Sequence, residues 1–297
     1  MRVGITLLPE LAWADDRGRW QAVEAYGYDH AWTFDHLAWR SLADAPWFAT
    51  VPTLAAAALS TTTLRLGTWV ATPNFRHPVA FAKEVMTLDH LSGGRLSVGL
   101  GAGTDGFDAT MLGQEALSPG RRHARFAEFV EVLGLVLSEP RSSFSGDWYT
   151  AEDARTVPGC VQRPHPPFVV AANGPRGMRL ALERGQAWVT TTGAPADAPA
   201  EDWWAAAADK AARFAEVRAA YEAEGHALPE GFARFLNLEA RTSEIGSAEQ
   251  ALDLLGRAAA LGYTDAVFAW PRPDGAMAGD PAVVEALAGR LDEVRAL

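Results

Sequence analysis

The stretch LRLGTWVATPNFRHPVAFAKEVMTLDHLSGGRLSVGLGAGTDG, Leu64 to Gly106, reads as strand, polar loop, helix, glycine stop, strand and glycine-rich loop. Leu64–Val70 is short, apolar and rich in β-formers. Phe81, Val85, Leu88 and Leu91 recur at the spacing of one helix face, and Gly93-Gly94 ends that helix. Leu96–Leu100 is the next strand, and Gly101, Gly103 and Gly106 after it let backbone approach a ligand closely. Strand, helix and strand in this order make the two strands parallel. Ligands of parallel α/β proteins bind beyond the carboxyl ends of strands, so the loops Ala71–His77 and Ala102–Phe107 are expected to serve one site.

Outward from this unit the same alternation continues. Upstream, Arg2–Leu7 and Asp29–Phe34 read as strands, with a helix over Asp16–Tyr26 between them and another over Phe48–Leu59. Downstream, Phe126, Phe129, Val130, Leu133, Val136 and Leu137 stripe a helix over Arg121–Leu137. Four more strands read at Phe168–Ala172, Ala187–Thr191, Arg234–Ala240 and Asp265–Trp270. The helices between them are opened by Asn173-Gly174-Pro175, span Trp203–Glu224, and are capped by Ser247 with Gln250; Asp280-Pro281 caps the last. Eight strands alternating with eight helices predict an α/β protein of the parallel TIM (β/α)8 barrel type, as one domain over residues 1–297. Ser138–Pro166 has no helical period and is expected to be an irregular insertion over the barrel mouth. Gly101–Gly106 also matches G-x-G-x-x-G, but a dinucleotide fingerprint must open a helix directly, and FDATMLGQEALSPG has no clear helical period.

Composition narrows the function classes. The net charge of −11 and the absence of a Lys/Arg run argue against nucleic acid. The single cysteine, Cys160, excludes an internal disulfide and stands in a Pro-Gly loop without a partner histidine or cysteine. Pro9 and Glu10 interrupt the first apolar run, so VGITL reads as a strand and not as a secretory leader, and no stretch reaches the apolar length of a membrane span. These features point to the cytoplasm. Eleven tryptophans exceed ordinary packing needs and suit an apolar ligand cavity, although core filling accounts for most of them.

Asp35 and His36 stand at the carboxyl end of the second strand, the catalytic face of a barrel. A carboxylate can hold an imidazole in one tautomer, and histidine moves protons near neutral pH. Neighbours in an extended strand point to opposite faces, however, so adjacency alone does not pair them. His36 is therefore either a proton-transfer residue or a structural one. His77, His123, His165 and His226 have no metal-ligand spacing, and no metal site is expected.

Asp35-His36, GTWVATP (Gly67–Pro73), HPVAFAKEVMTLDHLSGGRLSVGLGAG (His77–Gly103), RFAEFVEVL (Arg125–Leu133) and VAANGPRGMRLALERG (Val170–Gly185) together resemble the bacterial luciferase-like superfamily of flavin and deazaflavin oxidoreductases. The Asp-His after strand two is most similar to the branch that uses the deazaflavin coenzyme F-420. The resemblance implies that His36 lies by the reactive ring edge and that Trp69-Val70 is a non-proline cis peptide behind the ring. It also implies that Thr72 and the Gly101-Ala102-Gly103 backbone contact the cofactor, and that Asn173, Gly174 and Gly177 cradle its phosphate at a helix N-terminus, as backbone donors there favour. Two positions depart from the pattern. Thr104-Asp105 stands where a sugar-phosphate dehydrogenase of the family carries a catalytic glutamate, and Gly185-Gln186-Ala187-Trp188 replaces Gly-Asp-Gly-Trp.

Three functions compete on this reading. The first is hydride transfer between F-420 and a small, partly apolar substrate placed among Trp39, Arg40, Trp47, Phe107 and Trp270. The second is a two-component monooxygenase using reduced FMN supplied by a separate reductase, and the third a flavin-binding barrel without turnover. A homodimer is compatible with all three. The acidic tail of the deazaflavin requires local cations, for which Arg176, Arg179 and Arg163 are candidates.

Overall fold

A computed structural model of the chain describes residues 1–195 and 197–297. Its strands are β1 Arg2–Thr6, β2 His30–Thr33, β3 Arg65–Ala71, β4 Leu96–Leu100, β5 Arg141–Ser145, β6 Thr150–Arg155, β7 Phe168–Ala171, β8 Ala187–Thr190, β9 Ala233–Asn237 and β10 Asp265–Ala269. Eight of them close into a barrel in the order β1-β10-β9-β8-β7-β4-β3-β2. This is the parallel barrel that the sequence predicts. By packing, the chain divides into two compact units, residues 1–8, 18–32 and 169–297 in the first and 9–17 and 33–168 in the second.

The second unit is built on the opening stretch. Gly93 caps the Pro78–Ser92 helix in the left-handed region, at φ 63°, as the Gly-Gly stop requires. Phe81 of that helix stacks on Phe129 of the Pro119–Ser138 helix with ring centroids 6.3 Å apart, both rings fully buried. β3 and β4 pair in register from Leu66 with Leu96 to Thr68 with Val98, and the register shifts before Ala71 pairs with Leu100. The Trp69-Val70 peptide within that shift is cis. At Gly99 a Cβ would come within 2.1 Å of the Thr68 carbonyl, so this close strand approach requires glycine.

Residues 138–166 differ from the expected irregular excursion. They form an antiparallel hairpin of β5 and β6 whose tip is fastened by Glu128, a carboxylate accepting from the backbone N–H groups of Asp147 (3.0 Å), Trp148 (2.8 Å) and Tyr149 (2.6 Å). The segment after the hairpin returns to the start of β4. There Gln162 donates from its backbone to Asp89 (2.9 Å) and from its side chain to the Leu96 carbonyl (2.7 Å), at the opposite end of that strand from Gly101. One further helix, Phe107–Thr110, forms where the sequence shows no helical period.

The first unit carries a polar network at the amino-terminal ends of its strands. Trp32 Nε1 donates to His30 Nδ1 at 2.7 Å, so that nitrogen is an acceptor and His30 Nε2 faces Asp265 Oδ1 at 3.2 Å as the donor. Arg2 and Thr264 also donate to Asp265 Oδ2, at 3.0 and 2.7 Å. Burial alone would raise the Asp265 pKa, but His30 and then Arg2 more than offset it and hold the carboxyl below its ordinary 3.8. A depressed carboxyl pKa stabilises the fold above the unfolded value, and that contribution is lost as pH falls through the folded value. Asp265→Asn is therefore expected to lower the unfolding midpoint at pH 7 and to flatten its decline below about pH 4. Thermal unfolding of both proteins between about pH 3 and 7 checks this, and parallel declines would remove Asp265 from the acid response.

Among the described residues no helix is long and apolar enough to cross a membrane.

Candidate active site

In the second unit, the extended chain after Thr33 delivers Asp35 and His36 to opposite sides, as its alternation dictates. Asp35 does not meet His36. It accepts from Arg76 Nε and, at 2.7 Å, from Arg76 Nη2, while Arg76 Nη1 reaches Glu84 at 2.6 Å. The Asp35 side chain is 2% exposed and that of Arg76 11%. Burial would lower the Arg76 pKa, and Asp35 and then Glu84 raise it above the ordinary value. The guanidinium also lies over the Phe81 ring, 4.5 Å from its centroid. The placement makes Asp35 the counter-ion of a buried arginine.

The partner of His36 is Asp108. Asp108 Oδ2 lies 2.6 Å from His36 Nδ1, and its Oδ1 accepts from the Leu37 backbone N–H at 2.7 Å. A carboxylate only accepts, so Nδ1 carries the proton and Nε2 is left for exchange with a ligand. The His36 side chain is 26% exposed, that of Asp108 only 8%. Asp108 sits in the short helix after the glycine loop. Asp108 is not among the residues the sequence singles out; the signal for it is an acidic residue just past such a loop. Asp105 pairs instead with Arg122, at 2.7 Å.

An aromatic cluster lies beside this histidine. Phe34 contacts His36, Trp39 and Trp47 at centroid distances of 5.9, 5.3 and 6.4 Å. Trp39 and Trp47 lie nearly parallel, 12° apart, and Trp47 Nε1 donates to the His36 carbonyl at 2.9 Å. The expected substrate residues Trp39 and Trp47 are thus brought to His36. Arg40 lies over Trp39 and takes φ 40°, a left-handed conformation that costs a non-glycine residue on the order of 1 kcal/mol. Phe107 is 42% exposed beside Asp108.

The glycine loop is held by polar side chains absent from the expected set. Gly101 N donates to the Ala71 carbonyl at 2.9 Å, so that N–H belongs to the β3–β4 ladder and is not available to a cofactor. Gly103 takes φ +73°, and a Cβ there would meet the Asn74 amide at 2.6 Å; its missing side chain makes room for Asn74. Asn74 in turn donates to the Thr104 carbonyl at 2.8 Å and accepts from Arg125. Thr72 is buried and accepts from Asn74 N at 3.3 Å, and Ala102 is half-buried.

In the first unit the Asn173 turn follows β7. The Asn173 side chain is spent on the end of β8 and the loop after it: its Oδ1 accepts from Thr190 Oγ1 (2.7 Å) and Thr191 N (3.3 Å), and its Nδ2 donates to Thr191 Oγ1 (3.1 Å). What the turn offers an anion is the start of the Pro175–Arg184 helix, capped by Gly174 without any side-chain hydrogen bond. A Cβ on Gly174 would meet nothing within 4 Å, whereas one on Gly177 would meet Ala172 at 2.7 Å. Gly177 thus serves packing. Arg176 is exposed in the first turn. Arg179 is committed to Glu224 (2.6 Å) and Glu183 (2.6 Å), and it is not a free cation for a ligand tail. Arg163, in the second unit, follows Gln162 at the amino-terminal end of β4 and is placed away from the glycine loop. The altered Gly185–Trp188 turn keeps its anchor, since Trp188 Nε1 donates to the Ala172 carbonyl at 2.8 Å. Trp270 is half-buried after β10, its N–H bonded to the Thr6 carbonyl at 2.8 Å.

The profile of the luciferase-like monooxygenase family matches residues 1–229. An F-420-dependent glucose-6-phosphate dehydrogenase of Beutenbergia cavernae is 36% identical over 57% of this chain and 50% of its own length. The 4-hydroxyprotoasukamycin monooxygenase of Streptomyces nodosus subsp. asukaensis is 33% identical over 56% of the chain and 43% of its own. The chain therefore spans about half the length of these curated relatives. A solved F-420-dependent secondary alcohol dehydrogenase, in complex with an F-420-acetone adduct, superposes with a TM-score of 0.81 over 99% of both chains at 17% identity, a likeness of fold.

Proposed function

The chain belongs to the luciferase-like monooxygenase family, and from that premise we propose that it is an F-420-dependent oxidoreductase acting on a small, partly apolar alcohol or carbonyl compound. The observation that carries the reading is the His36–Asp108 pair, with Nδ1 held at 2.6 Å, Nε2 left for exchange, and the Phe34 ring beside the imidazole packed with Trp39 and Trp47. In the second unit, Thr72, Ala102 and the Trp69-Val70 peptide would contact its ring. In the first unit, the helix start at Gly174, with Arg176, offers donors to a phosphate and an acidic tail. Bound there, the deazaflavin would supply hydride exchange with a carbon of the substrate.

His36 Nε2 takes the hydroxyl proton of an alcohol or returns it to a carbonyl oxygen, while Asp108 keeps the ring oriented and supports its charged form. Trp39 and Trp47, half-buried and 12° from parallel, would limit water around the transferring proton. Thr104 offers no carboxylate at the glycine loop, which disfavours sugar-phosphate substrates of the kind named for the Beutenbergia relative. The working form of this reading is a cytoplasmic homodimer.

Titration of the purified protein with oxidised F-420 and with FMN at two salt concentrations tests it. F-420 is expected to bind at least about tenfold tighter, to weaken with added salt and to weaken again in Arg176→Ala, because exposed charges are screened within about 10 Å at 0.1 M salt. Tighter binding of reduced FMN, with oxygen consumed on adding substrate, would replace this reading by the two-component monooxygenase and its separate reductase.

A further inference from the structure

The first unit contains a second concave site outside the Asn173 turn. A cavity of about 270 Å³ opens beside the Ala200–Ala223 helix, lined by Trp188, Phe214 and Tyr263 together with Arg218, Glu222 and Arg234. Trp188 and Arg234 are the second residues of β8 and β9, and Tyr263 precedes β10, so the cavity lies at the amino-terminal ends of these strands. The Asn173 turn lies at a carboxyl end.

The charges in this cavity do not balance. Arg218 Nε meets Glu222 Oε1 at 2.9 Å, which accounts for the one carboxylate in the wall. Arg234 is half-buried; burial and then the positive charge of Arg218 lower its pKa, and among the described residues no carboxylate pairs with it. Its backbone is fixed, with its N–H bonded to Thr264 Oγ1 at 2.8 Å and its carbonyl accepting from Thr264 N at 2.9 Å. Gly262, at φ +83°, leaves room for the guanidinium, since a Cβ there would come within 3.3 Å of Nη1. A chain of net charge −11 has acidic residues to spare, yet none is set against this one. The remaining wall is apolar: Trp188 and Phe214 stack at 4.2 Å and 3°, and the Tyr263 hydroxyl is occupied by the Ala207 carbonyl at 2.9 Å.

We propose that this cavity binds a small organic monocarboxylate, its carboxylate on the Arg234 fork beside Arg218 and its apolar body against the aromatic and alanine wall. Two guanidinium groups and one carboxylate leave a single positive charge to neutralise, which favours a monoanion. Arginine matches a planar carboxylate with two parallel N–H donors. The volume is about nine times the share of one water in the liquid, enough for a ligand the size of benzoate. The site does not depend on the cofactor reading.

Calorimetric titration with benzoate at constant ionic strength tests the proposal, with benzamide as the neutral isostere. Benzoate is expected to bind, benzamide to bind at least about tenfold more weakly, and Arg234→Gln to weaken benzoate by at least about tenfold. Ala215→Phe, at an exposed position on the wall, fills the space with both arginines intact and is expected to abolish binding even if Arg234→Gln folds poorly. Arg176→Gln, in the Asn173 turn, is expected to leave benzoate affinity unchanged. No binding up to about 10 mM, equal binding of benzamide, or affinity unchanged in both cavity variants would each overturn the proposal.

Discussion

His36→Ala lowers turnover by about 10²-fold or more while cofactor affinity stays near that of the unmodified protein, if Nε2 is the proton-transfer atom. The expectation rests on a division of labour within one imidazole. Nδ1 is committed to Asp108 at 2.6 Å and Nε2 is not, so alanine removes the transferable proton together with a ring that is three-quarters buried. Asp108→Asn separates the two contributions. An amide can still accept from Nδ1, but it gives the imidazolium no opposite charge, so a loss of about tenfold and an altered pH–rate profile are expected with the ring still in place. Single-turnover kinetics set beside equilibrium titration of the cofactor discriminate the outcomes. A joint fall of binding and turnover makes His36 a cofactor-positioning residue. No change in either returns it to packing.

The parts of this site that the sequence made legible are those encoded locally. Phe81, Val85 and Leu88 at helical spacing, Gly93 at the stop and β4 up to the glycine loop all follow from short-range pattern, because period and chain reversal are properties of a dozen residues. The position of His36 at a strand's carboxyl end was readable for the same reason. Its partner was not. Asp108 is separated from it by 72 positions and is brought to it by tertiary packing, in a four-residue helix too short to show a period. The hairpin of β5 and β6 escaped for a related cause: its strands are polar and half exposed, and its tip is fixed by Glu128, which lies outside the segment. Gly103 shows how a correct observation can carry the wrong purpose. Its glycine is required, but the group it admits is Asn74. The cis Trp69-Val70 peptide was reached through the family resemblance, as nothing in the composition of the two residues implies it.

Asp35→Ala is expected to cost stability more than chemistry, the reverse of what its place beside His36 in the sequence suggests. Removing one partner of a buried ion pair leaves an uncompensated charge and typically costs about 3–5 kcal/mol. Here the orphan is the Arg76 guanidinium, 11% exposed and packed over Phe81, with Glu84 as its remaining partner. Glu84 is 43% exposed and can draw the arginine toward water, so the lower end of that range applies, about 3 kcal/mol, or a fall in unfolding midpoint of about 6–12 °C for a chain of this size. Replacing both partners by apolar residues, Asp35→Leu with Arg76→Met, removes the orphan charge and is expected to recover at least about half of the loss, since a buried pair contributes little net stability against well-packed hydrophobic residues. Turnover in Asp35→Ala, measured well below its midpoint, is expected to stay within about tenfold of the unmodified protein, against about 10²-fold for a group that transfers the proton. A midpoint unchanged within about 2 °C together with a 10²-fold loss of turnover would instead place Asp35 in the chemistry and leave the Arg76 pair without structural weight.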